Sequence, residues 1–233
     1  MKYTGSDPFT DENGVLLNKK GIKDQDELDK YERAASYIRA LELDITPIKG
    51  KFNLAHLKAI HKHLFQDVYS WAGKVRDGYL QKGGQDFMMG YRIAPEAEKL
   101  FNQLKKEQFL KKTEPEKIAG RLAYYMGEIN AIHPFREGNG RTQRVFISQL
   151  AKEAGYELHF RNVTQEQMIE ASIQSHKLNY KPLEQIISNG LSRAEKSPAD
   201  LYKQAKKELL SKPKEISLKE IEKASFKFSG IER

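Results

Sequence analysis

The sequence predicts an all-α fold with one β-hairpin, and three observations carry that reading. Apolar residues recur at the three- and four-residue spacing of buried helix faces along most of the chain. One segment, Leu80–Ile93, breaks this pattern with glycines, methionines and aromatics. After Asn189-Gly190 the composition turns to Lys, Glu and Ser, which closes the core.

Taken in order, residues 1–25 read as a loop arm. Asp26–Leu43 reads as the first helix, from Leu28, Tyr31, Ala35, Ile38 and Leu41. Asn53–Gln66 is the second, with Asn53 placed to cap it. Ser70–Asp77 leads into Leu80–Ile93, where Gly83-Gly84 and Gly90 suit the turns of a hairpin or extended flap. This is the only strand candidate. Pro95–Leu110 resumes helix. Glu116–Ile132 is the most regular, with Ile118, Leu122, Tyr125, Met126, Ile129 and Ile132 in one stripe. Arg141–Ala154 follows and stops at Gly155; Thr164–Ser175 and Pro182–Ser188 complete the core. The domain thus covers residues 26–190, and residues 191–233 form a tail or the start of a small second domain.

The chain has 233 residues, 39% hydrophobic and 31% charged, enough for one sizeable core with a small appendage. No run approaches the roughly 20 apolar residues of a membrane helix, and the polar N-terminus lacks the apolar stretch of a secretory signal peptide. Absence of cysteine excludes disulfide scaffolds and thiolate metal sites, and fits a cytosolic protein. The net charge of +8 is carried largely by Lys105–Lys117 and Lys203–Lys227, where glutamates are interleaved. Such runs are solvated helix faces, so neither a nucleic-acid nor a membrane partner is expected. The excess still favours polyanions, nucleotides included.

Between the two best helices stands His133-Pro134-Phe135-Arg136-Glu137-Gly138-Asn139-Gly140-Arg141-Thr142-Gln143-Arg144. Pro134 ends the preceding helix and biases His133 toward extended backbone, at a helix C-terminus that favours its protonated form. Gly138, Asn139 and Gly140 all tolerate positive φ, so successive N–H groups can converge on an anion just where the next helix adds its own. Arg141 and Arg144 occupy a helix start that ordinarily favours Asp or Glu, a placement that makes sense for a polyphosphate ligand. Glu137 supplies one carboxylate for Mg²⁺, which commonly binds through one or two carboxylates plus substrate phosphates. His56, His61 and His63 share a helix, but no pair is spaced i, i+4 as in a helical zinc site, so they read as structural or surface residues.

These twelve residues match every fixed position of the Fic signature, His-x-Phe-x-Asp/Glu-Gly-Asn-Gly-Arg-x-x-Arg, and the chain resembles that family over roughly residues 20–190. Trp71–Arg76 resembles the segment before the family's flap, Lys82–Arg92 the flap itself, and Asn179–Leu183 its closing turn. The resemblance implies a helical bundle with a β-hairpin flap, and ATP-dependent AMP transfer to a Ser, Thr or Tyr hydroxyl. It implies His133 as general base, Glu137 as the Mg²⁺ ligand, and Gly138, Asn139, Gly140, Arg141 and Arg144 around the phosphates. Phe135 would anchor the loop in the core; Pro134, Arg136, Thr142 and Gln143 are left without a role. His176 aligns loosely with a nucleoside-contacting position of some relatives, but reads better as a surface histidine.

Target docking is expected on the flap, through Lys82, Gly83, Gly84, Gln85, Asp86, Phe87 and Met88, by backbone pairing along an exposed strand edge. The implied partner is a protein with an accessible hydroxyl, a host small GTPase being one candidate if the chain is delivered into a host cell. The family's inhibitory pattern, Ser/Thr-x-x-x-Glu-Gly/Asn, is missing, because Glu12-Asn13 and Glu137-Gly138 are preceded at that spacing by Pro8 and His133. Inhibition would then come from a separate small antitoxin protein. Transfer of another nucleotide, a phosphate or a phosphocholine, or a Fic-shaped binding module without activity, are the rival readings.

Overall fold

The computed structural model describes residues 2–3, 7–82 and 84–194, with the side chains of residues 2, 3 and 82 undescribed. Residues 195–233 separate as a second unit. They and Gly83 lie outside the described residues, and with them nearly all of the expected tail.

Helix α1 (Gln25–Ile45) begins where Asp24 accepts the Glu27 N–H and Asp26 and Glu27 face the positive helix end. Helix α2 (Leu54–Phe65) is capped by Asn53, as its sequence predicts. Helix α3 (Gly90–Lys106) starts five residues before Pro95 rather than at it. Proline costs one backbone hydrogen bond there, and burial of Ile93, Ala97, Leu100, Phe101 and Leu104 along one face outweighs it. The chain then leaves α3 through Gln108, Phe109 and Leu110, three successive residues at φ 54, 54 and 63°. Helix α4 (Ile118–Ile132) is buried on most sides, packs against α3, α5 (Asn139–Glu153), α6 (Gln165–His176) and α7 (Lys181–Gly190), and forms the centre of the bundle.

The hairpin is present but shorter than expected. Strands β2 (Leu80–Lys82) and β3 (Gln85–Asp86) pair antiparallel with Gln81 opposite Asp86, and residues from Gly90 onward are already helical. Strand β1 (Lys2–Tyr3) covers the other edge of β2, Tyr3 opposite Leu80, so the flap edge left open among the described residues is that of β3. A second pair, β4 (Tyr156–Leu158) with β5 (Leu191–Arg193), carries the fold past Gly190. Strands of two or three residues are too short for alternation to show in sequence, which is why only the glycine-flanked hairpin was legible. No described helix is long and apolar enough to cross a membrane.

Candidate active site

His133 is the C-cap of α4, at φ 46° and ψ 63°. Its backbone is left-handed rather than extended: the preference of a pre-proline residue is overridden by the turn that closes α4, in which the His133 N–H donates to the Ile129 carbonyl at 3.0 Å. Its Nδ1 lies 3.2 Å from the Asn130 carbonyl oxygen. Since a carbonyl only accepts, Nδ1–H donates, and in the neutral ring Nε2 holds the lone pair that a base needs.

Past Pro134 the loop is clamped from three sides. Phe135 is buried and stacks on His61 with centroids 3.9 Å apart. The Asn139 amide closes a ring with Phe135, accepting its N–H at 2.9 Å and donating to its carbonyl at 2.7 Å. Asn139 therefore shapes the loop with its side chain and offers only its backbone N–H to a ligand. His61 Nδ1 accepts the Gly73 N–H at 2.8 Å, so Nε2–H donates to the Glu137 carbonyl at 3.0 Å. Burial, with the nearby charge of Arg141 adding to it, pushes the His61 pKa down to about 4, so the ring is neutral and its tautomer fixed. His61 is structural, as expected of the histidine group, yet it reaches the site. His56 bonds the Ile48 carbonyl at 2.9 Å and His63 approaches Glu42 at 3.0 Å, so the three do not converge.

Of the three residues expected to tolerate positive φ, only Gly138 uses it, at φ 78° as the N-cap of α5. Helix α5 starts at Asn139, two residues before the expected Arg141, so Asn139, Gly140 and Arg141 carry the unsatisfied N–H groups of its first turn. A Cβ on Gly138 would lie 2.3 Å from the Phe65 ring, so α2 forms the floor of this turn. The Gly138 N–H donates to Glu137 Oε1 at 2.9 Å, which sets the carboxylate at the mouth of the same turn.

The two arginines are held differently. Arg141 Nη2 ion-pairs with the buried carboxylate of Glu32 on α1, Nη1 donates to Ser36 Oγ at 2.8 Å, and the guanidinium stands 4.7 Å above the Phe65 ring. Glu32 also accepts the Tyr69 hydroxyl; burial first, then the Glu32 charge, pushes the Tyr69 pKa up. Arg144 pairs with no carboxylate among the described residues, and its Nη1 would lie 3.5 Å from a Cβ on Gly140. Burial, then the neighbouring charge of Arg141, lowers its pKa.

Two signature positions left without a role gain one. Arg136 is buried and ion-pairs at 2.6 Å with Asp7, so the N-terminal arm is fastened to the loop. Thr142 is fully buried and its hydroxyl donates to the Gly138 carbonyl at 3.0 Å. Within the flap, Gly84 takes φ 77° at the turn, Gln85 is half-buried and Asp86 exposed. Asp86 Oδ1 accepts from Tyr79 and Gln81, and its carbonyl accepts His176 Nε2–H at 3.1 Å. Met88 is half-buried. Phe87, expected to offer apolar contact to a target, is buried instead, with its ring stacked on His133 at 3.7 Å. His176 meets the edge of the same ring at 5.4 Å, so it braces the flap.

Sequence reasoning missed Glu32, named Arg76 only as part of a resemblance, and read His61 as structural without placing it at the site. Arg76 is 1% exposed, and its Nε–H donates to the His133 carbonyl at 2.8 Å. Fully charged residues are rarely so buried, but sequence does not report burial.

Residues 51–151 match the model of the Fic/DOC family. Protein adenylyltransferase VbhT of Bartonella schoenbuchensis is 48% identical over 193 residues, covering 82% of this chain and 40% of VbhT. The chain thus spans well under half of that relative. Probable protein adenylyltransferase y4lH of Sinorhizobium fredii is 42% identical over 72% of this chain and 87% of its own length. Among solved structures, the BepC effector of Bartonella tribocorum, crystallised with AMPPNP, superposes with a TM-score of 0.76 at 26% identity, covering 80% of this chain and 97% of the crystallised chain. With the motif, the bundle and relatives matched over nearly their full length all in agreement, the chain belongs to the Fic/DOC family.

Proposed function

We propose that this chain is a protein adenylyltransferase, transferring AMP from ATP to a Ser, Thr or Tyr hydroxyl of a target protein. The observation that carries this reading is Arg144, a half-buried cation without a carboxylate partner among the described residues, alongside Gly140 in the first turn of α5. A helix N-terminus with an uncompensated guanidinium beside it is built for a polyanion. The names of the relatives agree with a nucleotide as that polyanion.

In this reading His133 Nε2 accepts the hydroxyl proton as the hydroxyl oxygen attacks the α-phosphorus. The bond from that phosphorus to the bridging oxygen breaks, and pyrophosphate leaves with its electron pair. Asn139, Gly140 and Arg141 offer N–H groups to the phosphates, and Arg144 neutralises charge on the leaving group. Arg141, already paired with Glu32, contributes as a fixed dipole and backbone donor more than as a free cation.

Glu137 fits a magnesium site of the open kind. No cluster of three or more acidic or imidazole groups stands among the described residues, so an ion there would take one carboxylate from the protein and the rest from phosphates and water. Bound so, Mg²⁺ would offset phosphate charge.

The β3 edge at Gln85–Asp86 is the candidate docking strand for a target segment, which would share or displace the His176 bond to the Asp86 carbonyl, with β1 already on the far side of β2. Control by a separate small inhibitory protein, supplying a glutamate to Arg144, fits the absence of an in-chain partner for it among the described residues. The deciding experiment adds ATP labelled on the α-phosphate to bacterial and animal lysates with the chain. Label on a protein supports AMP transfer; label appearing only when the γ-phosphate carries it replaces that reading with phosphoryl transfer, and none with either donor favours a binding module.

A further inference from the structure

We infer that Arg76 is a positioning residue, one rigid cation that locks both legs of the flap to the peptide carrying His133. The inference rests on the reading of His133 as base and the flap as target dock.

The Arg76 guanidinium spends its fork on backbone oxygens from two places. On the motif side, Nε–H donates to the His133 carbonyl at 2.8 Å and Nη2 reaches the Ile132 carbonyl at 3.4 Å. On the flap side, Nη1 donates to the Gly78 carbonyl at 2.6 Å and Nη2 to the Met88 carbonyl at 2.6 Å. Gly78 precedes β2 and Met88 follows β3, so the contacts hold the hairpin at both legs. The Arg76 N–H adds a further tie, donating to the Pro134 carbonyl at 2.9 Å.

Three physical facts make this a lock and not a loose contact. The guanidinium is planar, so its donors keep fixed relative directions and the oxygens they meet are fixed with them. It is almost wholly buried, so water does not compete, and charge-assisted bonds are about twice as strong as neutral ones. It also sits at the C-terminus of α4, where carbonyl dipoles favour a cation. The flap base is rigid on its other side: a Cβ on Gly90 would lie 1.9 Å from the Asp77 oxygen, so the two backbones are in contact. Within the locked hairpin Phe87 lies on the His133 ring. A strand seated on the flap would thus take its register from the same cation that fixes His133, which brings an otherwise remote docking edge to the reacting centre.

The test compares wild type with Arg76→Lys, which keeps charge and stem but loses the fork. Amide hydrogen exchange is read by mass spectrometry on the full chain, alongside calorimetric binding of Mg·ATP and AMP transfer to lysate proteins. The lock predicts exchange rising about tenfold in both residues 78–89 and residues 132–136, with residues 143–151 unchanged. Mg·ATP affinity should stay within about threefold, because the phosphate-binding groups of α5 are untouched. Transfer should fall roughly thirtyfold in kcat with the KM for ATP unchanged, as expected for lost alignment. A rise in one segment alone, or in neither, overturns the inference. Should Arg76→Lys not fold, Phe87→Leu decides: the lock predicts protection of both segments retained, whereas its loss in residues 132–136 would assign the coupling to the ring stack. Exchange needs no turnover, so a chain that shows the coupled change yet transfers no AMP removes the functional reading and leaves the lock standing.

Discussion

The ring of Phe87 lies on that of His133 with centroids 3.7 Å apart and planes 24° from parallel. The stack, with the Nδ1 contact to Asn130, restricts the imidazole to one orientation and shields one of its faces from water. Phe87→Ala should therefore cut transfer about 10- to 100-fold while Mg·ATP binds as before. Single-turnover rates beside calorimetry check this; an unchanged rate would leave the stack without a catalytic part.

His133→Ala should abolish AMP transfer and leave ATP affinity nearly intact. In the proposed reading, phosphate affinity would reside in the α5 first turn, Arg144 and a bound metal, whereas the imidazole would act on the target hydroxyl. Undiminished transfer by this variant, measured with α-labelled ATP, would remove the histidine from the role of base.

The parts of the site legible in the sequence are those within one contiguous stretch. His133, the glycine turn and the two arginines are neighbours in the chain, so their spacing alone outlines an anion site. The residues that fix their positions come from elsewhere: Glu32 lies 109 residues from Arg141, Asp7 129 from Arg136 and His61 76 from Glu137. Such cross-ties leave no period in a single sequence. Helix faces were legible where burial repeats along them, as in α4. Helix α1, by contrast, buries Leu28, Glu32, Ser36 and Leu43 and leaves Ile38 and Leu41 of its expected stripe exposed. The onset of α5 and the backbone of His133 were misjudged by local preference. At His133 the turn that closes α4 and the Arg76 bond outweigh the bias that Pro134 imposes.

Arg141 and Arg144 should separate on mutation. Arg144→Ala removes a cation that no carboxylate among the described residues compensates, so Mg·ATP affinity should drop by about 2 kcal/mol, roughly thirtyfold, with little loss of stability. Arg141→Ala instead leaves Glu32 buried with Tyr69 as its remaining hydroxyl donor, and should lower unfolding free energy by about 2 kcal/mol. Calorimetry and denaturant melts on the two variants decide; equal losses of affinity and stability in both would contradict the division.

His61 makes the stability of the fold depend on acid. Its folded pKa is about 4, depressed by burial, against about 6.5 when unfolded, so between those values the unfolded chain binds the extra proton. Stability is full above pH 6.5 and falls as pH drops toward 4, by up to about 3 kcal/mol from this residue. Denaturant midpoints at about pH 7, 5.5 and 4.5, which span the window, for wild type and His61→Gln measure it. The variant should start lower and lose less, since it cannot take up the proton; parallel slopes would assign the acid sensitivity to other groups.

Gly138→Ala tests how the motif turn is supported. Two separate penalties act there. The residue is at φ 78°, where an L side chain costs about 1–2 kcal/mol. A Cβ would also stand 2.3 Å from the Phe65 ring, and forcing a core to shift for an added carbon costs typically about 1–3 kcal/mol. The expected loss is about 2–5 kcal/mol, with weaker Mg·ATP binding because the first turn of α5 must move. Phe65→Leu separates the two penalties. It leaves the backbone cost but opens space, at the price of the ring under Arg141. If α2 is the floor of the turn, the double variant should be more stable than the sum of the single losses by about 1 kcal/mol, the size of coupling seen between residues in contact. Strict additivity in denaturant melts would mean that the turn relaxes away from Phe65, and that its shape is held by Asn139 and His61 alone.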